Sequence, residues 1–453
     1  MQKPEIKSIT QYLDQDYREY AVYVVEERAI PSVIDGFKPT QRKIIFAADR
    51  VWKNGNEKPL KIFQLAGKVA SETFYHHGDG SLNGAIVGLA QKFKNAMPVL
   101  EEIGQFGSLR SPEAGAPRYI STKLHKNFRQ LYMDFELLTP RYEEGNEIEP
   151  KYFLPIIPTV LLNGGSGIAV GFATNILNRN PVDLIDACIK ELDGKPYKEP
   201  APWYHGFGGE CIKDPESPLS WLFRGRFEIK NTSTVEVTEL PPSLTYEKFD
   251  SLLSTLEDTR RIVSHDNNCK ANINYLLKFR REDLKALQDS GRLSKTLKME
   301  ERQSENLTVL DENGDLKIFE SATAIIKYFV TFRLSYYVKR KAYLINKIIQ
   351  ELTLLSNKAN FVKAIIDGKI KVNNIPRKEI ILALQVANFD EISGSYNYLL
   401  SLPIHSLTKE NYEELISACF AKEQELETIK QKEPIQMYRD DLQDLRKSVV
   451  KLY

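Results

Sequence analysis

Arg118 and Tyr119 stand side by side in the run GQFGSLRSPEAGAPRYIST (104–122). Gly104, Gly107, Gly115, Pro112 and Pro117 make this run a loop, with the Arg-Tyr pair displayed beyond it. A phenol ionises near about pH 10, so it is a poor nucleophile at neutral pH unless a neighbouring cation favours the phenolate. An arginine can do that and steady a pentavalent phosphoryl transition state as well. Phenolate is also a competent leaving group, which suits a phosphoryl transfer that must be reversed. The chain holds 22 tyrosines, so the doublet gains meaning only from its surroundings.

Three other clusters supply surroundings. In RAIPSVIDGFKPTQRKIIF (28–46), Arg28, Lys38, Arg42 and Lys43 could neutralise phosphates, and Asp35-Gly36 and Pro39 set a turn before a helix starting near Thr40. A solvated basic face is the plain alternative. In FYHHGDGSLNGAIVGLAQKF (74–93), a helix precedes the Gly78–Gly80 turn and another follows with Leu82, Ile86 and Leu89 on one face, the outline of a helix-turn-helix. Adjacent His76 and His77 point in different directions on regular structure, and no Cys or Asp/Glu set completes a ligand shell, so no metal site is assigned. His77 is read instead as contacting phosphate or orienting another group. In FLPIIPTVLLNGGSGIAVGFATNI (153–176), Gly164, Gly165, Gly167 and Gly171 imitate a phosphate-binding loop but lack its GKS/T ending. Asn163-Gly164 is expected to make a tight hairpin presenting Ile168, an apolar wedge able to part base pairs and kink a duplex; a buried strand is the alternative.

The elements that must position these residues fall into three textures, of which the first, from Tyr12 to about Lys151, mixes helical periodicity with glycine-rich turns. A chain of 453 residues predicts two to four domains. Lys plus Arg total 62 against 61 acidic residues, so any basic surface is local. One such stretch holds Lys38, Arg42, Lys43, Arg50, Lys53, Lys58 and Lys61. Cys188, Cys211, Cys269 and Cys419 form no CxxC pair, which argues against zinc and disulfides. The start MQKPEIKSITQYL has no apolar signal core and no run spans a membrane, so a cytoplasmic chain is expected. From about Tyr152 to Phe319 the pattern is strand-like, with TVEVTEL (234–240) and NLTVLDENGDLKIF (306–319) reading as hairpin strands of an α/β platform. Ile345, Ile348, Leu352, Leu355, Ala359, Val362 and Ile366 then recur at coiled-coil spacing, and Ile435, Tyr438, Leu442, Leu445, Val449 and Leu452 repeat it. Two stripes predict an antiparallel helical pair carrying a small tip whose apolar surface suits a dimer contact; two helices of an ordinary bundle are the alternative. With Tyr453 just after the second stripe, no further domain is expected.

The succession of these clusters resembles the breakage-reunion core of type II DNA topoisomerases: the C-terminal half of the eukaryotic enzyme and the gyrase A subunit. RAIPSVIDGFKPTQRK, LAGKVA, YHHGDGSL, GQFGS, APRYI, IIPTVLLNGGSGIAVGFATNI, VTELP, YYVKRKAYLI and LLSLPIHSLTKE carry the resemblance, from about residue 20 to about residue 410. YHHG, PRYI and LPIHSLTKE look more like the eukaryotic branch.

The resemblance implies a multidomain α+β fold. After an N-terminal arm (1–19) it places a winged-helix DNA-cleavage domain at 20–148 and a tower at 149–320. A coiled coil (321–366 and 421–453) then carries a C-gate dimerisation domain at 367–420. It implies that Tyr119 forms a 5′-phosphotyrosyl link, that Arg118 steadies the scissile phosphate, that Arg28, Lys38, Arg42 and His77 contact phosphates, and that Ile168 intercalates. Gly80 and Gly84 occupy positions where the gyrase branch carries quinolone-contacting side chains, which puts that contact in doubt. The family's acidic DxD metal cluster and its ATP fold are absent from the sequence. The implied partners are therefore double-stranded DNA, a second copy of the chain, and a TOPRIM-type ATPase subunit holding Mg²⁺ and ATP. No DNA-wrapping propeller is present, so relaxation, decatenation and unknotting are expected rather than negative supercoiling. Two rivals are a non-catalytic architectural DNA-binding protein of this fold and a tyrosine recombinase, whose tyrosine would lie near the C-terminus.

Overall fold

A computed structural model describes residues 8–53, 57–270, 272–392 and 394–451. Residues 1–7 of the expected arm and Leu452 of the second stripe lie outside the described residues. The chain divides into two compact units, one running to Arg333 and resuming at Arg439, the other covering Leu334–Tyr438.

The first unit opens with helical turns over residues 9–29. Helix α1 (Pro39–Trp52) starts where Lys38, in extended conformation, donates its backbone N–H to the Gln41 side chain at 2.9 Å. Proline fits the next position because a first-turn N–H has no helical partner. Strand β1 (Leu60–Lys61) leads into α2 (Ile62–Glu72), which buries Ile62, Leu65, Ala66 and Val69, and α3 (Asp79–Ala90) buries Leu82, Ile86 and Leu89. These spacings put each apolar set on one helical face, and the three helices pack together through those faces. Strand β2 (Ser121–Thr122) pairs antiparallel with β1, Lys61 opposite Ser121.

Strands β3 (Gly165–Ile168) and β4 (Ala173–Ile176) form a hairpin that turns at residues 169–172 rather than at Asn163-Gly164. Gly164 instead lies at the hairpin's base with φ +61°, so close to the Ile176 carbonyl and the Asn178 side chain that a Cβ there would collide. Asn163 bridges the N–H and C=O of Met97 at 2.9 and 3.0 Å.

Further along lie β5 (Glu210–Lys213), β6 (Ser220–Arg224), β7 (Arg226–Asn231), β8 (Thr234–Glu239), β9 (Ser264–Asn267), β10 (Tyr275–Lys278) and β11 (Glu300–Ser304). They form two antiparallel sheets, ordered β11-β6-β5 and β7-β8-β10-β9. Val235, Val237, Tyr275 and Leu277 alternate inward on the four-stranded sheet and share a core with Phe249 and Leu253 of α4 (Tyr246–Asp258). A hairpin of β12 (Leu307–Leu310) and β13 (Leu316–Phe319) turns through Asn313-Gly314, with Gly314 at φ +99°. The Asp311 carboxylate there accepts the N–H groups of Asn313, Gly314 and Asp315.

Helix α5 (Ala322–Ile366) begins in the first unit and continues in the second, which also holds α6 (Arg377–Val386) and α7 (Lys409–Gln431). Helices α5 and α7 run antiparallel: the Lys341 ammonium donates to the Lys430 carbonyl at 2.8 Å, and Lys422 pairs with Glu351 at 2.7 Å. Phe361, Ile370, Ile380, Leu384, Tyr396 and Leu399 form a small core at the far end of this pair. The partner of the first apolar stripe thus includes a helix that starts at Lys409. The second stripe lies mostly on α8 (Pro434–Val449), where Leu442, Leu445 and Val449 are buried in the first unit. There Arg439 pairs with Asp193 and Arg446 with Asp186 of the helix Pro181–Leu192.

Candidate active site

The loop that displays Tyr119 is anchored at both ends. Gly104 and Gly107 have φ +111° and +82°, and a Cβ on Gly107 would stand 2.7 Å from the Pro112 carbonyl oxygen. Arg110 is buried and donates to Glu239 at 2.7 Å, to the carbonyls of Pro241 and Leu244 at 2.6 and 3.1 Å, and to that of Leu240. Its own carbonyl accepts the Tyr246 N–H at 3.0 Å, so the loop is fixed to the end of β8 and the start of α4. At the other end Ile120 is buried against Gly104, and the β1–β2 ladder follows at once.

Between these anchors the Tyr119 side chain is 68% exposed. The Arg118 guanidinium lies over its ring, 4.9 Å from the centroid, and the Lys61 ammonium donates to the Tyr119 carbonyl at 2.8 Å. An exposed tyrosine with a guanidinium over its ring and an ammonium on its backbone carbonyl, on a loop held at both ends, is suited to attack a phosphodiester and to steady the charge that develops. Lys61 counted only as one of a basic stretch in the sequence; its register opposite Ser121 is what brings it here.

A second group gathers around His77. Its Nε2 lies 3.1 Å from the Tyr23 hydroxyl, its ring meets Tyr75 edge to face at 5.5 Å, and Arg28 lies close enough to Tyr75 to oppose the rise that burial causes in that phenol's pKa. His76 turns the other way, towards Glu143 at 4.0 Å. Tyr23 carries no sequence signal for this role, because its partner is 54 residues away. Beside this group stands the β3–β4 hairpin: a Cβ on Gly167 would lie 2.1 Å from the Ala29 carbonyl oxygen, and the Lys38 ammonium donates to the Ser166 carbonyl at 2.8 Å. Ile168, at the end of β3, is 87% exposed. Among the described residues, no hydrogen bond or ion pair joins His77 or Arg28 to Arg118 or Tyr119.

The basic stretch divides in two. Arg42 is buried and grips Asp35 through Nε and Nη2 at 2.7 and 3.0 Å, Lys43 pairs with buried Glu149 at 3.1 Å, and Arg50 pairs with Glu147 at 3.0 Å. Lys38 and Lys61 have no carboxylate partner among the described residues.

The family model for the A subunit of DNA gyrase/topoisomerase IV matches residues 28–443. The chain belongs to this family. It is 33% identical over 446 residues to the DNA topoisomerase medium subunit of Enterobacteria phage T4, covering 98% of this chain and 99% of that one. It is 34% identical over 457 residues to the DNA topoisomerase 2-alpha of Gallus gallus, covering 92% of this chain but 29% of the relative. The Plasmodium falciparum topoisomerase II DNA-binding, cleavage and re-ligation domain matches with a TM-score of 0.86 and 30% identity, over 98% of this chain and 64% of that structure. The chain thus spans nearly all of the phage protein and about a third of the longer relatives. Like the rest of its family it is a type II topoisomerase component of mixed α+β fold, from a family whose chemistry uses Mg²⁺ and ATP. Among the described residues no three His, Cys, Asp or Glu side chains converge on a metal position, and no helix is long and apolar enough to cross a membrane. This chain's described side chains therefore do not by themselves fit a Mg²⁺ site.

Proposed function

We propose that this chain cleaves and rejoins double-stranded DNA with Tyr119 as nucleophile, as the breakage-reunion subunit of an ATP-dependent type II topoisomerase. The observation that carries the reading is the exposed Tyr119 on a doubly anchored loop, with Arg118 over its ring and Lys61 bonded to its backbone carbonyl. The phenol gives up its proton, its oxygen bonds to phosphorus, and the bond from phosphorus to the 3′ oxygen breaks, with that oxygen taking up a proton. The 5′ end is then held as a phosphotyrosine. Rejoining reverses these steps, and the covalent link keeps the phosphoester energy. Arg118 steadies the phosphate, while Arg28, Lys38 and His77 hold the flanking backbone; Arg42, buried and bonded to Asp35, is taken up by the fold and does not fill the phosphate role the resemblance implied. Ile168 enters the base stack and bends the duplex.

In this reading α1 to α3 belong to a winged-helix domain at 20–148, the two sheets to a tower at 149–320, and α5 with α7 to a coiled coil ending in a C-gate. Leu382 and Val386, exposed on α6, suit the contact between two copies there. Mg²⁺ would supply charge neutralisation at the phosphate from a TOPRIM-type partner subunit, which would also bind ATP. The enzyme works in the cytoplasm on relaxation, decatenation and unknotting.

The test is a cleavage-trapping assay with the full chain, its partner subunit, plasmid and Mg²⁺ or Ca²⁺, stopped with detergent. Linear DNA carrying protein on its 5′ ends, lost in Tyr119→Phe, is the expected result. Intact plasmid despite tight DNA binding would replace the reading with a non-catalytic architectural one.

A further inference from the structure

Beneath the β3–β4 hairpin lies a cavity of about 430 Å³ lined by Lys38 and Gln41 at the start of α1, Lys94 on the turn after α3, and Gly164–Ser166 at the foot of the hairpin. Its lining holds two lysines and no carboxylate. The turn bearing Lys94 is fixed from both sides. Asn178 donates to the Lys94 carbonyl at 2.7 Å, and Asn95 donates to the carbonyls of Gly88 and Gln91 at 2.7 and 2.8 Å. Among the described residues the Lys38 ammonium has one carbonyl partner, Ser166, and the Lys94 ammonium has only a distant ring, Phe93 at 5.8 Å. Burial pushes the pKa of both lysines down from the ordinary value, as expected where two charges lose water and gain no anion.

We propose that Lys94, together with Lys38, forms a phosphodiester-binding site that grips the backbone of the gate duplex where it bends over Ile168. This rests on the DNA-gate reading above, since the foot of the hairpin that presents Ile168 is one wall of the cavity. The volume accommodates a sugar-phosphate segment rather than a lone ion. Each neutralised phosphate releases condensed counterions, so the site makes a countable contribution to the salt dependence of binding.

The experiment measures binding of a short fluorescent duplex to the full chain over a salt series. Lys94→Gln lowers the slope of log K against log salt by about 0.9 and weakens binding several-fold at low salt, Lys94→Arg retains the slope, and Lys371→Gln in the second unit leaves it unchanged. An unchanged slope in Lys94→Gln overturns the proposal. In the wild-type chain, Lys94 is also labelled with an amine-acylating reagent and read by mass spectrometry. Protection by duplex supports the site; no protection by duplex, or equal protection by inorganic phosphate at matched phosphate concentration, overturns it. Trapping of the Tyr119 adduct on the same wild-type preparation keeps the two readings apart. Normal cleavage with an unchanged slope removes only the Lys94 site, and absent cleavage removes the nucleophile.

Discussion

The ammonium of Lys61 donates to the backbone carbonyl of Tyr119 at 2.8 Å, from a residue paired in register with Ser121. This restrains the backbone that carries the proposed nucleophile. A charge-assisted hydrogen bond is worth about 1.5–3 kcal/mol, equivalent to about ten- to a hundredfold in rate where its loss lets the Tyr119 backbone leave the attacking position. Lys61→Met should therefore slow single-turnover cleavage of bound duplex by about that factor while changing duplex affinity about threefold or less. Loss of affinity with unchanged cleavage of the bound complex would make Lys61 a phosphate contact alone.

Arg42 presents a different case, because its guanidinium is committed to the fold. The buried Asp35 carboxylate accepts Arg42 Nε and Nη2 and also the N–H groups of Phe37 and Phe153, both at 3.1 Å. The Asp35 carbonyl accepts the hydroxyls of Tyr132 and Thr159 at 3.0 and 2.7 Å. Removing one member leaves an uncompensated buried charge, at a cost of about 3–5 kcal/mol. Asp35→Ala and Arg42→Ala should each lower denaturant-unfolding stability by about that amount, and the double variant by clearly less than the sum. Additive losses would show that the two side chains are not coupled. Any loss of DNA binding in Arg42→Ala must be compared with this loss of stability before it is assigned to phosphate contact.

Local signals were legible and long-range partners were not. The apolar spacing of Leu82, Ile86 and Leu89 marks the buried face of α3, and Asn313-Gly314 marks the β12–β13 turn, because helical period and left-handed backbone are properties of short segments. The same reasoning misplaced the hairpin turn: Asn163-Gly164 offers the right residue pair, but Gly164 stands at the hairpin's base, where only a residue without a Cβ clears Ile176 and Asn178, and the chain reverses at 169–172. The second apolar stripe shows why period cannot name a partner. Its spacing fits a coiled coil, yet on α8 it is buried in the unit where Arg439 meets Asp193, 246 residues earlier. Within the candidate site, Arg118, Tyr119 and Ile168 are adjacent in sequence to their signals, whereas Lys61, Tyr23 and Lys94 depend on contacts across 58, 54 and 84 residues.

His125 gives the fold a dependence on acid. Its Nδ1 accepts the N–H of Asn127 at 3.1 Å and so caps the short helix Lys126–Leu131, which packs Phe128 and Leu131 into the core. A ring protonated on both nitrogens cannot accept that bond. Burial is the main cause of a pKa below the ordinary histidine value, opposed by nearby Glu101. With the folded pKa lowered, the unfolded chain binds more protons between the two values, so stability rises with pH across that window. The contribution is complete above about pH 6.5 and fades as pH falls towards the folded pKa. Thermal unfolding from pH 5 to pH 8 should show this acid loss in the wild type, and His125→Asn, which caps without titrating, should show a shallower dependence. An identical pH profile for the two proteins would exclude His125 as the source.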